Sequence, residues 1–191
     1  MSFAELLDEP GVQEVVALRS RFGFMAFHGG SLERMTDVIA LDAAEQSGAS
    51  VYAVVQPPDL RWHIPSHQVR GSNALDAFLA HVDVAVAIHG YGREGRWTEV
   101  LLGGVNRSLA SHVAGVLAPA LPHLSVVSDI ERIPADLRGL HPDNPVNRPR
   151  AGGVQVELPP RARGLTPHRY PHGPLVAALA EAARTWDAPP G

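Results

Sequence analysis

The chain predicts an α/β domain with an open, mixed but mostly parallel central sheet flanked by helices. Three observations lead there. Short apolar runs of strand length alternate with segments of helical period. The runs at Phe22 to Phe27 and Asp83 to Ile88 are apolar at most positions, as strands covered on both faces require. The chain has 191 residues, 45% hydrophobic and 19% charged, which suits one domain with its core at about 10–186.

The elements follow in order. Pro10 can open a helix to about Arg21, with Val12, Val15, Val16 and Leu18 as its stripe. Phe22 to Phe27 reads as a buried strand. Glu33 to Gln46 reads as a helix stopped by Gly48, and Val51 to Val55 as a second strand. Asn73 can cap a helix to Ala80. Asp83 to Ile88 is a strand ending at His89, and Thr98 to Leu102 is another. Asn106 caps a helix to about Leu117, and Leu124 to Val127 is a strand. An irregular, Pro-rich stretch covers Ile133 to Gly152. Gly153 to Leu158 is the last strand and Pro174 to Trp186 the last helix, with a frayed end at Asp187 to Gly191.

Composition narrows the function. Cysteine is absent, so neither disulfides nor thiolate metal sites are available, and any metal must use His, Asp or Glu. The ten histidines matter for that reason. Lysine is also absent, so all 16 basic side chains are arginine. A net charge of −4 argues against non-specific nucleic-acid binding. No span reaches the ~20 apolar residues of a membrane helix. The start MSFAELLDEPG lacks the basic and apolar regions of a secretory signal, so the expected location is the cytoplasm. Nothing in the sequence demands more than a monomer.

In open α/β sheets, ligands gather beyond the carboxyl ends of the strands. His28 and His89 sit at two such ends, each followed at once by glycine, which lets backbone approach a ligand closely. Glu33 lies one loop from His28. Two imidazoles and a carboxylate would hold a zinc ion and leave its fourth position open, as in catalytic sites. Either histidine taken alone equally suits a strand cap hydrogen-bonded to its loop.

A zinc hydrolase also needs a base to take a proton from the attacking water. Glu157 is the candidate. By alternation it shares one face of its strand with Gln155, while Val154, Val156 and Leu158 take the other. A solvated strand residue is the plainer alternative. Charge supports a site: Pro145 to Gly173 holds Arg148, Arg150, Arg161, Arg163 and Arg169, with Glu157 as its sole acid. That stretch is formally +4 and the rest of the chain −8, which suggests an anionic substrate held by guanidinium–carboxylate pairs.

Other signals fail on context. Gly90 to Gly95 fits G-x-G-x-x-G, but a strand rather than a helix follows it, so a dinucleotide site is rejected. No G-x-S-x-G elbow accompanies the HGG run. The pairs His63/His67 and His168/His172 enclose Pro65 and Pro171, which excludes helical ligand pairs.

Six segments, HGGSLERMT, RWHIPSH, AIHGYG, EVLLGGVNRSLASHV, NPVNR and GGVQVELPPRAR, occur in the order and rough spacing of the phage-type poly-γ-glutamate hydrolases. The chain resembles that family from about Phe22 to Arg163. The resemblance implies a carboxypeptidase A-like fold, one Zn²⁺ held by His28, Glu33 and His89, and Glu157 as general base. Asn147 and Arg148 look like the carboxypeptidase-type Asn-Arg pair that holds a substrate carboxylate, with Arg163 a further candidate. Arg148 could also steady the oxyanion. His63 and Ser66 match the family's H-I-T-S motif and are expected near the substrate. Met35-Thr36 stands where the family usually has Gly-Thr, and Pro65 replaces the motif's threonine; neither change removes a ligand. The implied activity is hydrolysis of γ-glutamyl or related anionic peptide amides. The alternative is a non-catalytic anion- or peptide-binding module on the same fold.

Overall fold

A computed structural model describes residues 2–165 and 170–187, so His168, Arg169 and the last four residues lie outside the described part. In chain order the elements are α1 (Phe3–Leu7), β1 (Gln13–Ala17), β2 (Phe22–Gly30), α2 (Thr36–Ser47), β3 (Ser50–Gln56), α3 (Asn73–His81) and β4 (Val84–Gly90). They continue with β5 (Glu99–Leu102), α4 (Arg107–Ala120), β6 (Ser125–Val127), β7 (Gly153–Leu158) and α5 (Gly173–Thr185). Short 3₁₀ turns punctuate the loops, among them Ser66–Gln68 and Pro145–Asn147.

The strands form one sheet in the order β1-β3-β2-β4-β7-β5-β6. Pairings β2–β3, β2–β4, β4–β7 and β5–β6 are parallel, while β1–β3 and β5–β7 are antiparallel. The expected mixed, mostly parallel sheet is therefore present. Burial is continuous along the central strands because helices cover both faces. On one side Phe24, Ile39, Val86, Val113, Val156 and Leu179 join sheet to α2, α4 and α5. On the other Phe3, Phe27, Tyr52, Phe78 and Val146 pack against α1 and α3.

Most boundaries fall within a few residues of expectation, with four departures. The helix expected from Pro10 to Arg21 is strand β1, paired antiparallel with β3 from Gln13 opposite Val55 to Ala17 opposite Val51. Its two valines are β-branched and suit a sheet edge, and the helical spacing of the apolar residues is coincidental. The first residue of α3 is Asn73, but its cap is Ser72, whose hydroxyl accepts from the Leu75 amide at 3.0 Å. Helix α2 starts at Thr36 rather than Glu33, which leaves Glu33 in the preceding turn, free to face the sheet end. Helix α1 was not expected; its Ser2–Glu5 capping box holds five residues that seat Phe3 and Leu6 in the core.

Candidate metal centre

Strands β2, β4 and β7 are adjacent and parallel, so their carboxyl ends form one shelf. His28 lies near the end of β2 and His89 near the end of β4, both buried. Glu157 on β7 is in register with His89 across the β4–β7 ladder. The β2–α2 turn delivers Glu33, its amide donating to the His28 carbonyl at 2.8 Å. Gly30, at φ +72, makes the tight exit possible: a Cβ there would stand 2.1 Å from the Gln56 carbonyl oxygen.

Glu33 is central. Its Oε1 lies 2.9 Å from His28 Nδ1. Its Oε2 accepts from the Gly90 amide at 2.8 Å and lies 3.5 Å from His89 Nδ1. Burial pushes its carboxyl up, but the facing His28 and His89 outweigh that and hold it well below the usual range. Burial lowers His89, and the charge of Glu33 more than reverses this, so the net direction is upward. Glu157 is raised to about 7, chiefly by burial, against the pull of nearby His89.

The donor set fits a divalent metal. His28 Nε2 is 2.8 Å from the Ile64 carbonyl, which can only accept, so that nitrogen carries the proton. Its Nδ1 then presents a lone pair to a carboxylate oxygen. Two acceptors at that distance call for a cation or a further proton between them. His63 stands close as well: its ring centroid is 4.8 Å from that of His28. One ligand atom from each of His28, Glu33 and His63 can be chosen so that all lie within 4.8 Å of one another. His63 is thus a further imidazole at a centre for which the sequence nominated His28, Glu33 and His89.

A cavity of about 410 Å³ opens over the shelf. His28, Glu33, His63, Ser66, His89 and Glu157 all line it. Asn147, Arg148 and Arg163 do not. Arg148 pairs with Asp76 of α3 at 3.3 Å, half-exposed. Asn147 spends its side chain on loop backbone, accepting from the Val105 amide and donating to the Gly139 and His141 carbonyls. Arg163 is buried behind Gly90, donating to the Arg34 carbonyl at 2.9 Å, with its Nε unpartnered among the described residues. Among the described residues, no arginine of the stretch lines the cavity, so its local charge excess did not mark a guanidinium there.

Many lining residues went unassigned by sequence, among them His67, Tyr91, His141, Asn144 and Gln155. Gln155 was legible, since alternation puts it on the face of Glu157. His141 and Asn144 lie in the irregular stretch, where no periodicity points a side chain anywhere. His67 was visible only as half of an i,i+4 pair; it occupies a 3₁₀ turn, and its ring centroid lies 4.7 Å from that of His141, the two planes tilted by 31°.

The fold recurs in solved structures. A bacteriophage poly-gamma-glutamate hydrolase superposes with a TM-score of 0.72 at 22% identity, covering 95% of this chain and 91% of that one. A structure described as zinc-free YNDL matches with a TM-score of 0.74 at 21% identity, over 95% and 93% of the two chains. A metallo-carboxypeptidase from Burkholderia cenocepacia gives 0.52 at 11% identity, over 95% and 65%. Comparison with curated protein sequences yields no match. The fold is the carboxypeptidase-like α/β architecture of metallopeptidases. The family model for poly-gamma-glutamate hydrolase matches residues 2–166, and the chain belongs to that family.

Proposed function

We propose that the protein hydrolyses γ-glutamyl amide bonds in an anionic peptide or polymer, with a single zinc ion held by His28, Glu33 and His89. The observation that carries this reading is the convergence of two imidazoles and two carboxylates on one cavity, from three neighbouring strands and the turn that follows the first of them. When bound, zinc would polarise the scissile carbonyl and lower the pKa of a water to about 7.

The chain's own groups supply the rest. The Ile64 carbonyl keeps the His28 proton on Nε2 and so leaves Nδ1 as a ligand. The Gly90 amide holds Glu33 against both histidines. Glu157, raised to about 7, can accept a proton from the attacking water near neutral pH and return it to the leaving amine. His63 and Ser66 line the wall beside His28, where a substrate carboxylate can accept hydrogen bonds. Arg163 contributes positive charge from behind Gly90 rather than by contact. Among the described residues no helix is long and apolar enough to cross a membrane.

The test is metal analysis of the purified protein together with a panel of α- and γ-linked glutamate peptides. The expected result is one zinc per chain and cleavage of the γ-linked members, abolished by chelation and restored by zinc. Full activity after the metal is removed would overturn the mechanism.

A further inference from the structure

Glu157 is not held alone. Gln155, two residues earlier on the same face of β7, donates from Nε2 to Glu157 Oε1 at 2.8 Å. Its own Oε1 accepts from Asn144 Nδ2 at 2.8 Å. Both side chains are almost fully buried, with Gln155 5% and Asn144 2% exposed. The two amides have defined orientations. Gln155 Nε2 also faces the Leu137 carbonyl and Asn144 Nδ2 the Gly139 carbonyl, each at 3.4 Å. Asn144 Oδ1 accepts from the Val146 amide. Carbonyl and carboxylate oxygens can only accept, so the nitrogens must point as they do.

Turning the Gln155 amide over would set its oxygen against two acceptors and its nitrogen against the Asn144 amide hydrogens. Packing closes off other escapes. Gly139, at φ +62, approaches so near that a Cβ there would stand 2.5 Å from Gln155 Oε1. The result is asymmetry in Glu157. Oε1 is bound, whereas Oε2 has no hydrogen-bond partner among the described residues, and the residue lines the cavity.

We propose that Asn144 and Gln155 are positioning residues for Glu157: a two-amide brace that fixes one carboxylate oxygen and turns the other to the reacting water. The proposal deepens the hydrolase reading and rests on it for the role of Glu157. A donated hydrogen bond supports the ionised carboxylate, and the fixed rotamer keeps it in line with the water. Asn144 touches neither metal ligands nor Glu157, so its effect must pass through Gln155.

The test uses zinc-loaded protein and a γ-linked glutamate oligomer, with the variants Gln155→Leu, Gln155→Glu, Asn144→Asp and the double Asn144→Asp/Gln155→Leu. Gln155→Leu should lower kcat by about 10²-fold, the scale of a misplaced catalytic group, with KM and zinc content within about twofold. Asn144→Asp should lower kcat by about tenfold. The double variant should be no worse than Gln155→Leu alone, because the two residues act in series. Multiplicative losses in the double variant, or a risen KM with kcat intact, would overturn the brace.

Crystal structures of the wild type and the near-isosteric Gln155→Glu decide the matter without turnover. The brace predicts one Glu157 orientation in the first and a displaced carboxylate in the second; an unmoved Glu157 would sink it. Absence of γ-glutamyl cleavage by the wild type would instead defeat the substrate reading, and the crystallographic comparison would still answer for the brace.

Discussion

The cavity has two kinds of wall. One is the shelf of parallel strand ends carrying His28, His89 and Glu157. The other is made of irregular loops that bring His63, Ser66, His67, His141 and Asn144. The shelf is rigid because ladder hydrogen bonds and covered faces fix each Cβ direction. The loops hold their places by particular hydrogen bonds to backbone, such as those of Asn144 and Asn147. On the proposed reading, reaction chemistry falls to the shelf and to the Asn144–Gln155 brace behind Glu157, and selection of the substrate to His63, Ser66, His67 and His141 of the loops.

The sharpest test of that division is loss of a shelf ligand. His28→Ala or His89→Ala should leave less than stoichiometric zinc and no turnover above background, whereas His63→Ala should keep its zinc through dialysis. Should His63→Ala lose the metal as readily as His28→Ala, the loop wall would share in coordination. Next in size, Glu157→Gln should cut kcat by about 10³-fold while zinc content and KM hold, the range expected for removal of a general base. Steady-state kinetics with elemental analysis reads both effects.

On the loop side, Ser66→Ala and His67→Ala should raise KM for γ-linked oligomers by about tenfold, equivalent to one lost hydrogen bond to a charged group. A fall in kcat at constant KM would erase the distinction between the walls.

The site carboxylates also give the metal-free protein a pH signature. The folded-state pKa of Glu157 is raised from 4.5 to about 7, so between those values the native chain holds a proton that the unfolded chain has released. Stability should fall as pH rises through that window, by about 3 kcal/mol at most. His89, also raised, adds to the decline above its ordinary value. Glu33 acts oppositely: its carboxyl is lowered, so its contribution is present above the ordinary carboxylate range and lost as pH falls. Thermal melts from pH 4 to 8 on chelator-treated protein should show this slope, and Glu157→Gln should flatten it. The smallest effect expected is that of Arg148→Ala: kinetics unchanged, stability within about 0.5 kcal/mol, as for an exposed ion pair.

How much could be read beforehand follows the same division. His28, His89 and Glu157 were legible because a strand fixes where a side chain points, and a run of buried residues fixes where the strand ends. Strand β1 was misread because it is a five-residue edge strand with little burial, so its pattern carried no period-2 signal. Arg148 was nominated by its motif and by counting charge along the chain. The side chain instead found Asp76, distant in sequence, a partner that only the folded arrangement supplies. Asn144 gave no local sign at all, since its role depends on an irregular loop folding back onto β7.

One bond described above ties the two walls together. The imidazole of His28 reaches Ile64, the residue between His63 and the Pro65–Ser66 turn. The base of that same loop is clamped by the Gln56 amide, which both donates to and accepts from the Trp62 backbone. Anything that reorients the His28 ring will tug on the segment that brings His63 and Ser66 to the cavity. Binding of a metal ion at His28 should accordingly slow this segment's amide exchange, with the coupling carried by a single carbonyl.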